Sequence, residues 1–291
     1  MSGALLWERD RGSWPNSGAS RFVTAAGIRW HVQQMGSGPA LLLVHGTGAS
    51  THSWREVLAP IAAHHTVIAM DLPGHGFTDS VPPPRCSLPG MSASLAALLD
   101  QLKVSPTVWV GHSAGAAILC QMALERKVAA PREIISLNGA LQPFSGAAGL
   151  LFAPIARFLA ASGVVPGLVA RRARDRRAVA RLIAGTGSVL DEQGIDLYAR
   201  LVRDPRHVAG ALNMMAHWNL RDLAAALPGL GIPLRLIAAS EDRTVPPAQA
   251  AHVAMQVPGA RLVGWPGLGH LAHEEQPALL VRALDDVRAG R

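Results

Sequence analysis

A chain of 291 residues, 49% hydrophobic but only 4% aromatic, is long enough for one large α/β domain with an insertion, its core packed by small side chains. The net charge of +7 is almost wholly arginine, since Lys103 and Lys127 are the only lysines, and without the aromatic–basic interleaving of single-strand binders it excludes nucleic acid as the expected partner. No run of about 18 uncharged apolar residues suggests a membrane span, and Cys86 and Cys120 are too few for a disulfide framework or a cysteine-based metal site.

Glu8, Arg9 and Asp10 stand where an export signal would need its apolar stretch, so a cytoplasmic location is expected. Ser20 to Val23 and Ile28 to Gln33 alternate in pattern around Ala26-Gly27 and predict a hairpin. Ala40 to Val44 is instead a continuous apolar run that stops at His45-Gly46-Thr47-Gly48, the pattern of a strand buried on both faces. Val67 to Met70, Thr107 to Val110, Ile134 to Leu137 and Leu234 to Ala238 repeat it, with helical stretches between several of them. This alternation predicts an α/β fold with a mostly parallel sheet flanked by helices.

Between about Ala140 and Leu223 the alternation stops. Gly149 to Ala170 is apolar but interrupted by Pro154, Arg157 and Pro166, and reads as one or two short helices. Helical patterns follow over Arg171 to Ile183 and His207 to Ala216, the first with arginines at 171, 172, 174, 176, 177 and 181. The expected organisation is a core of residues 1–139 and 224–291 with a helical cap over 140–223. Phe152, Met214, Met215 and Trp218 of the cap are candidate walls of an apolar pocket, together with His45, Trp54 and His112 of the core. The arginines read as a solvated helix face, with an anionic lipid surface or substrate as the alternative.

Ligands of open parallel sheets bind beyond the carboxyl ends of the strands, and the chemistry is sought there. Gly111-His112-Ser113-Ala114-Gly115 follows a buried strand and opens a small-residue helix. Glycines on both sides of a serine permit a close-packed, strained turn that exposes the hydroxyl and aims a helix N-terminus at it. A serine nucleophile needs a base, and the base an orienting acid, in the order Ser, Asp, His. Asp242 follows the run Leu234 to Ala238, with Glu241 as the rival acid. His270 follows Arg261-Leu262-Val263 and a glycine-rich approach, a combination that His31, His52, His75, His207, His217 and His252 lack; His45 belongs to the oxyanion loop, His112 to the elbow and His64 and His65 to a solvated turn, while Glu274 and Glu275 beside His273 suit the positive end of the last helix. The candidate oxyanion donors are the Thr47 and Ala114 amides. No histidine or carboxylate spacing calls for a metal, and this chemistry needs no cofactor.

Together His45-Gly46, Asp71 to Gly76, Gly111 to Gly115, Asp242 and Gly269-His270 resemble the α/β-hydrolase superfamily, a fold with a mostly parallel central sheet and an inserted helical cap. Trp14-Pro15-Asn16, Arg29 to Val32, His45 to Trp54, Ser87 to Met91, Gly111 to Ala117 and Leu137 to Ala140 look like the BchO-type magnesium-chelatase accessory hydrolases of bacteriochlorophyll biosynthesis. That resemblance implies a photosynthetic bacterial setting, a tetrapyrrole-related substrate or partner, and association with magnesium chelatase; the triad and apolar cap residues suit an apolar ester more generally, and the cap arginines suit peripheral membrane contact. Three readings stay open: ester hydrolysis, porphyrin binding and delivery without catalysis, and cofactor-free haloperoxidase or carbon–carbon hydrolase chemistry with the same triad. Epoxide hydrolases and haloalkane dehalogenases usually carry Asp where Ser113 stands.

Overall fold

The apolar runs assemble into one eight-stranded sheet in the computed structural model, which describes residues 4–143, 159, 162 and 164–288. Its strands are β1 (Ser20–Ala25), β2 (Ile28–Met35), β3 (Ala40–Val44), β4 (Thr66–Met70), β5 (Val108–His112), β6 (Glu133–Leu137), β7 (Leu234–Ala239) and β8 (Arg261–Trp265). The spatial order is β1-β2-β4-β3-β5-β6-β7-β8. β1 and β2 pair antiparallel across Ala26-Gly27, both at positive φ (51° and 73°), as a two-residue hairpin turn requires. β2 lies antiparallel to β4, and every pair from β4 to β8 is parallel.

Parallel strands buried on both faces explain the continuous apolar runs. Leu42, Val44, Ile68, Met70 and Trp109 pack on one face with the helices Leu88–Leu102 and Ala114–Leu124. Leu41, Leu43, Val67, Val110 and Ile135 pack on the other with Leu58–Ala62 and Pro277–Arg288. Each such side chain contributes about 1.5–3 kcal/mol by burial. β5 runs two residues past the expected Val110, because His112 still pairs with Leu137 before the chain turns.

Between β6 and β7 the described residues contain helices and no strand: Val165–Arg172, Arg176–Gly185, Glu192–Val202, Pro205–Ala216 and Arg221–Ala226. The expected single helical pattern over Arg171 to Ile183 is two helices. Asp175 breaks it, because its side chain accepts a bond from the Arg177 amide (3.0 Å) and caps the second helix. Most of 149–163, including Phe152, lies outside the described residues. Val179, Ile183, Leu197, Tyr198 and Leu201 pack against Leu5, Trp14, Phe77 and Leu271, which seats the inserted helices over the carboxyl end of the sheet. No described helix is long and apolar enough to cross a membrane.

Candidate active site

Ser113 sits at the junction of β5 and the helix Ala114–Leu124, at φ 51° and ψ −119°. A residue with a Cβ avoids this conformation, which costs about 1–3 kcal/mol. Local packing holds it there. A Cβ on Gly111 would lie 2.4 Å from Ala116 N, and one on Gly115 would lie 2.2 Å from Val44 O, so only glycine lets the turn close onto β3 and its own helix. Gly46 meets the same limit from the neighbouring loop, where an added Cβ would lie 2.9 Å from Ser113 Cβ.

Asp242 and His270 come together from the ends of β7 and β8. His270 Nδ1 lies 2.7 Å from Asp242 Oδ2. The other carboxylate oxygen, Oδ1, accepts from the Thr244 and Val245 amides, both at 2.8 Å. These bonds lock the acid and fix which imidazole nitrogen carries the proton, leaving Nε2 free. The rival Glu241 is exposed and accepts from the Ser240 hydroxyl. Among the described residues the Ser113 hydroxyl makes no hydrogen bond to His270, a looseness common in unliganded sites. The Thr47 and Ala114 amides have no acceptor among the described residues. Ala114 opens its helix, where such donors are orphaned.

The other expected pocket residues divide. His45 is fully buried, its Nδ1 donating to Gly46 O (2.8 Å) and its Nε2 accepting from Leu72 N (2.9 Å), so it joins two loops and its ring reaches no solvent. Trp54 is also fully buried in the core, its ring tilted against that of His273 at 4.7 Å. Met214 reaches the candidate oxyanion loop, where its sulfur accepts from the Thr47 hydroxyl (3.3 Å). Met215 and Trp218 are half-buried, and Trp218 packs against the core. Phe152 lies outside the described residues. A separate cavity of about 640 Å³ opens at the amino ends of the strands, lined by Thr107, Arg132, Glu133, Arg235 and Arg261, away from Ser113.

His112 packs beside the serine, and its Nε2 donates to the His270 carbonyl (2.9 Å). Its ring stands 4.6 Å from that of His270 and 4.7 Å from that of His273. Burial, reinforced by the neighbouring His270, pushes the pKa of His112 well below the usual histidine value, and the same causes with Arg55 take His273 down to about 3. Both rings are therefore neutral near pH 7.

Glu274 does stand in the first turn of a short helix, Ala272–Glu275, but its main partners are side chains remote in sequence. It is buried, ion-paired with Arg55, and accepts from Ser53 Oγ (2.6 Å) and Tyr198 OH (2.8 Å). Burial raises its pKa against the opposing pull of Arg55. Glu275 does meet backbone amides, but those of Gly269 (2.9 Å) and Val189 (3.2 Å). No local signal could have revealed contacts with partners 219 or 221 residues away in sequence.

Comparison with known proteins agrees with this architecture. Residues 39–277 match the family model for the alpha/beta hydrolase fold. The chain is 42% identical over 264 residues to the magnesium-chelatase 30 kDa subunit of Rhodobacter capsulatus, covering 90% of this chain and 92% of that protein. An alpha/beta hydrolase fold protein from Burkholderia ambifaria superposes with a TM-score of 0.75 at 26% identity, covering 92% of this chain and 99% of its own. The enol-lactonase of Burkholderia xenovorans LB400 superposes at 0.73 with 19% identity, covering 91% of this chain and 98% of its own, a likeness of fold. The chain belongs to the alpha/beta hydrolase family and, within it, is a relative of the magnesium-chelatase 30 kDa subunit.

Proposed function

We propose that this protein is a serine hydrolase that transfers the acyl group of an apolar ester to water, in a role accessory to magnesium chelatase. The observation that carries the reading is the strained Ser113 elbow with the Ala114 and Thr47 amides left without acceptors beside it. In the proposed reaction His270 Nε2 takes the hydroxyl proton as Ser113 Oγ bonds to the ester carbon. The carbonyl oxygen gains the negative charge and is met by the two amides. Collapse breaks the bond to the alcohol oxygen, which leaves with the proton from His270. Water then attacks the acyl-serine with His270 again as base, releasing the acid and restoring Ser113. Asp242 holds the ring and balances its transient charge.

The helices between β6 and β7 act in this reading as a cap over 140–223, on a core of 1–139 and 224–291. Met214 belongs to that cap and is in contact with Thr47 of the proposed oxyanion loop. The chelatase association rests on the name of the 42% identical relative, and a tetrapyrrole-type ester only on the motif resemblance described above. Peripheral contact with an anionic membrane is favoured by residues 164–189, which hold six arginines against one aspartate and so most of the chain's charge of +7. Exposed Leu168, Leu182 and Val189 stand among them.

The test is labelling of the purified protein with a fluorophosphonate, followed by p-nitrophenyl and tetrapyrrole methyl esters as substrates. Labelling at Ser113 and its loss in Ser113→Ala are expected. A folded protein that does not label would refute the hydrolase reading. A Ser113→Ala protein that retains its function in cells would assign the accessory role to binding.

A further inference from the structure

The segment Leu137-Asn138-Gly139-Ala140 at the end of β6 performs no step of the proposed reaction, yet it is tied to Ser113, to His270 and to the end of β7, the strand that leads to Asp242. Ser113 N donates to Leu137 O (3.0 Å) and Ala140 N donates to Ser113 O (3.1 Å), so the elbow is held by its main chain on both sides. Asn138 lies between these two contacts, 4% exposed and at φ 47°, a left-handed backbone that asparagine adopts more readily than most residues. Its Oδ1 accepts from Ala239 N (2.8 Å), three residues before Asp242. Its Nδ2 donates to both Gly269 O (3.1 Å) and His270 O (2.9 Å).

We infer that Asn138 is a positioning residue that sets the Asp242–His270 pair against the serine elbow. This inference rests on the acyl-transfer reading above. One buried side chain joins the ends of β6 and β7 to the loop after β8, while its own main chain continues into both contacts with Ser113. The position requires an acceptor facing an N–H and a donor facing two carbonyls. A carboxylate has no donor and a hydroxyl has a single hydrogen, so the carboxamide is the group that fits. His112 Nε2 donates to the same His270 carbonyl, so His270 is held through its main chain while its ring stays free to exchange protons.

The experiment compares the wild type with Asn138→Asp, which is nearly isosteric but lacks donors, and with Asn138→Gly, which removes the side chain and suits a positive φ. Ile134→Val, a core change in the same strand, is the control for general loosening. Three quantities are read: the rate of fluorophosphonate labelling at Ser113, kcat and KM for a p-nitrophenyl ester, and the downfield proton NMR resonance of His270 Nδ1–H in its bond to Asp242. Both Asn138 variants are expected to label about 10- to 100-fold more slowly, with kcat reduced and KM within about twofold, as for a misplaced catalytic group. Their downfield resonance should be shifted or broadened, and Ile134→Val should match the wild type. A folded Asn138 variant with wild-type labelling rate and resonance overturns the inference. So does failure of both variants to fold, which would make Asn138 a determinant of folding. If the wild type itself does not label, the hydrolase reading fails separately, and the resonance alone decides: loss in the variants supports positioning, and retention overturns it.

Discussion

Replacing Ser113 by glycine should make the protein more stable while abolishing acyl transfer, and Ser113→Ala is the reference that separates the two effects. Alanine keeps the Cβ and with it the strain of φ 51°, ψ −119°. Glycine removes both. The strain is worth about 1–3 kcal/mol, and the greater freedom of glycine in the unfolded chain returns about 0.4–1 kcal/mol of it. Ser113→Gly should therefore exceed Ser113→Ala by about 0.5–2 kcal/mol. In a chain of this length that corresponds to a rise in Tm of about 1–4 °C. Calorimetric melting of both variants at one pH and scan rate measures the difference, and fluorophosphonate labelling should be absent from both. A glycine variant that melts below the alanine variant would show that the turn is not strained, and the argument from the elbow would fail with it.

Gly115→Ala places a Cβ about 2 Å from the Val44 carbonyl oxygen. Since β3 is central and cannot yield, the cost should reach about 3 kcal/mol or more, seen as a lower urea midpoint or as insoluble protein. Arg55→Ala leaves the Glu274 carboxylate buried without its ion pair and should cost about 3–5 kcal/mol, whereas pairing Arg55→Met with Glu274→Gln should recover much of that loss in chemical denaturation. Stability should also depend on acid. Burial holds the pKa of His207 at about 4 and that of His273 at about 3, against about 6.5 when unfolded. The unfolded chain thus binds protons that the folded chain does not. Stability should be full above about pH 6.5 and fall as pH drops toward 4 and 3, the contributions at the end of titration being on the order of 3 kcal/mol for His207 and 5 kcal/mol for His273. A flat unfolding free energy between pH 7 and 5 would contradict this.

The features legible in the sequence were those carried by neighbours along the chain. Leu41 to Val44 announces a strand buried on both faces because consecutive side chains must face opposite helices, and Gly111 and Gly115 announce a close approach that a Cβ would block. The strand-end positions of Asp242 and His270 follow from the same reading. What was hidden depends on partners remote in sequence. Glu274 looks like a helix-end charge until Arg55, Ser53 and Tyr198 surround it. Trp54 and His45 look like pocket walls because both flank the glycine loop, and only packing shows that both are sealed. The break at Asp175 was readable in principle, since an aspartate followed by a helical run is a capping signal, but the continuous arginine-rich periodicity masked it.

The energetics of the elbow bear on the choice between catalysis and binding. The strained Ser113 main chain opposes folding by about 1–3 kcal/mol, in a molecule whose net stability is expected to be about 5–15 kcal/mol. Such strain persists only where the surroundings over-determine it, and here they do: Leu137 and Ala140 hold both sides of the Ser113 main chain, and glycines clear its path. A protein that only sheltered an apolar ligand would need apolar walls, and gains nothing from a main chain bent to expose one hydroxyl. The cost and the proposed use therefore meet at the same residue. A Ser113→Gly protein that is at once more stable and inert would be the physical signature of catalysis retained at the expense of stability.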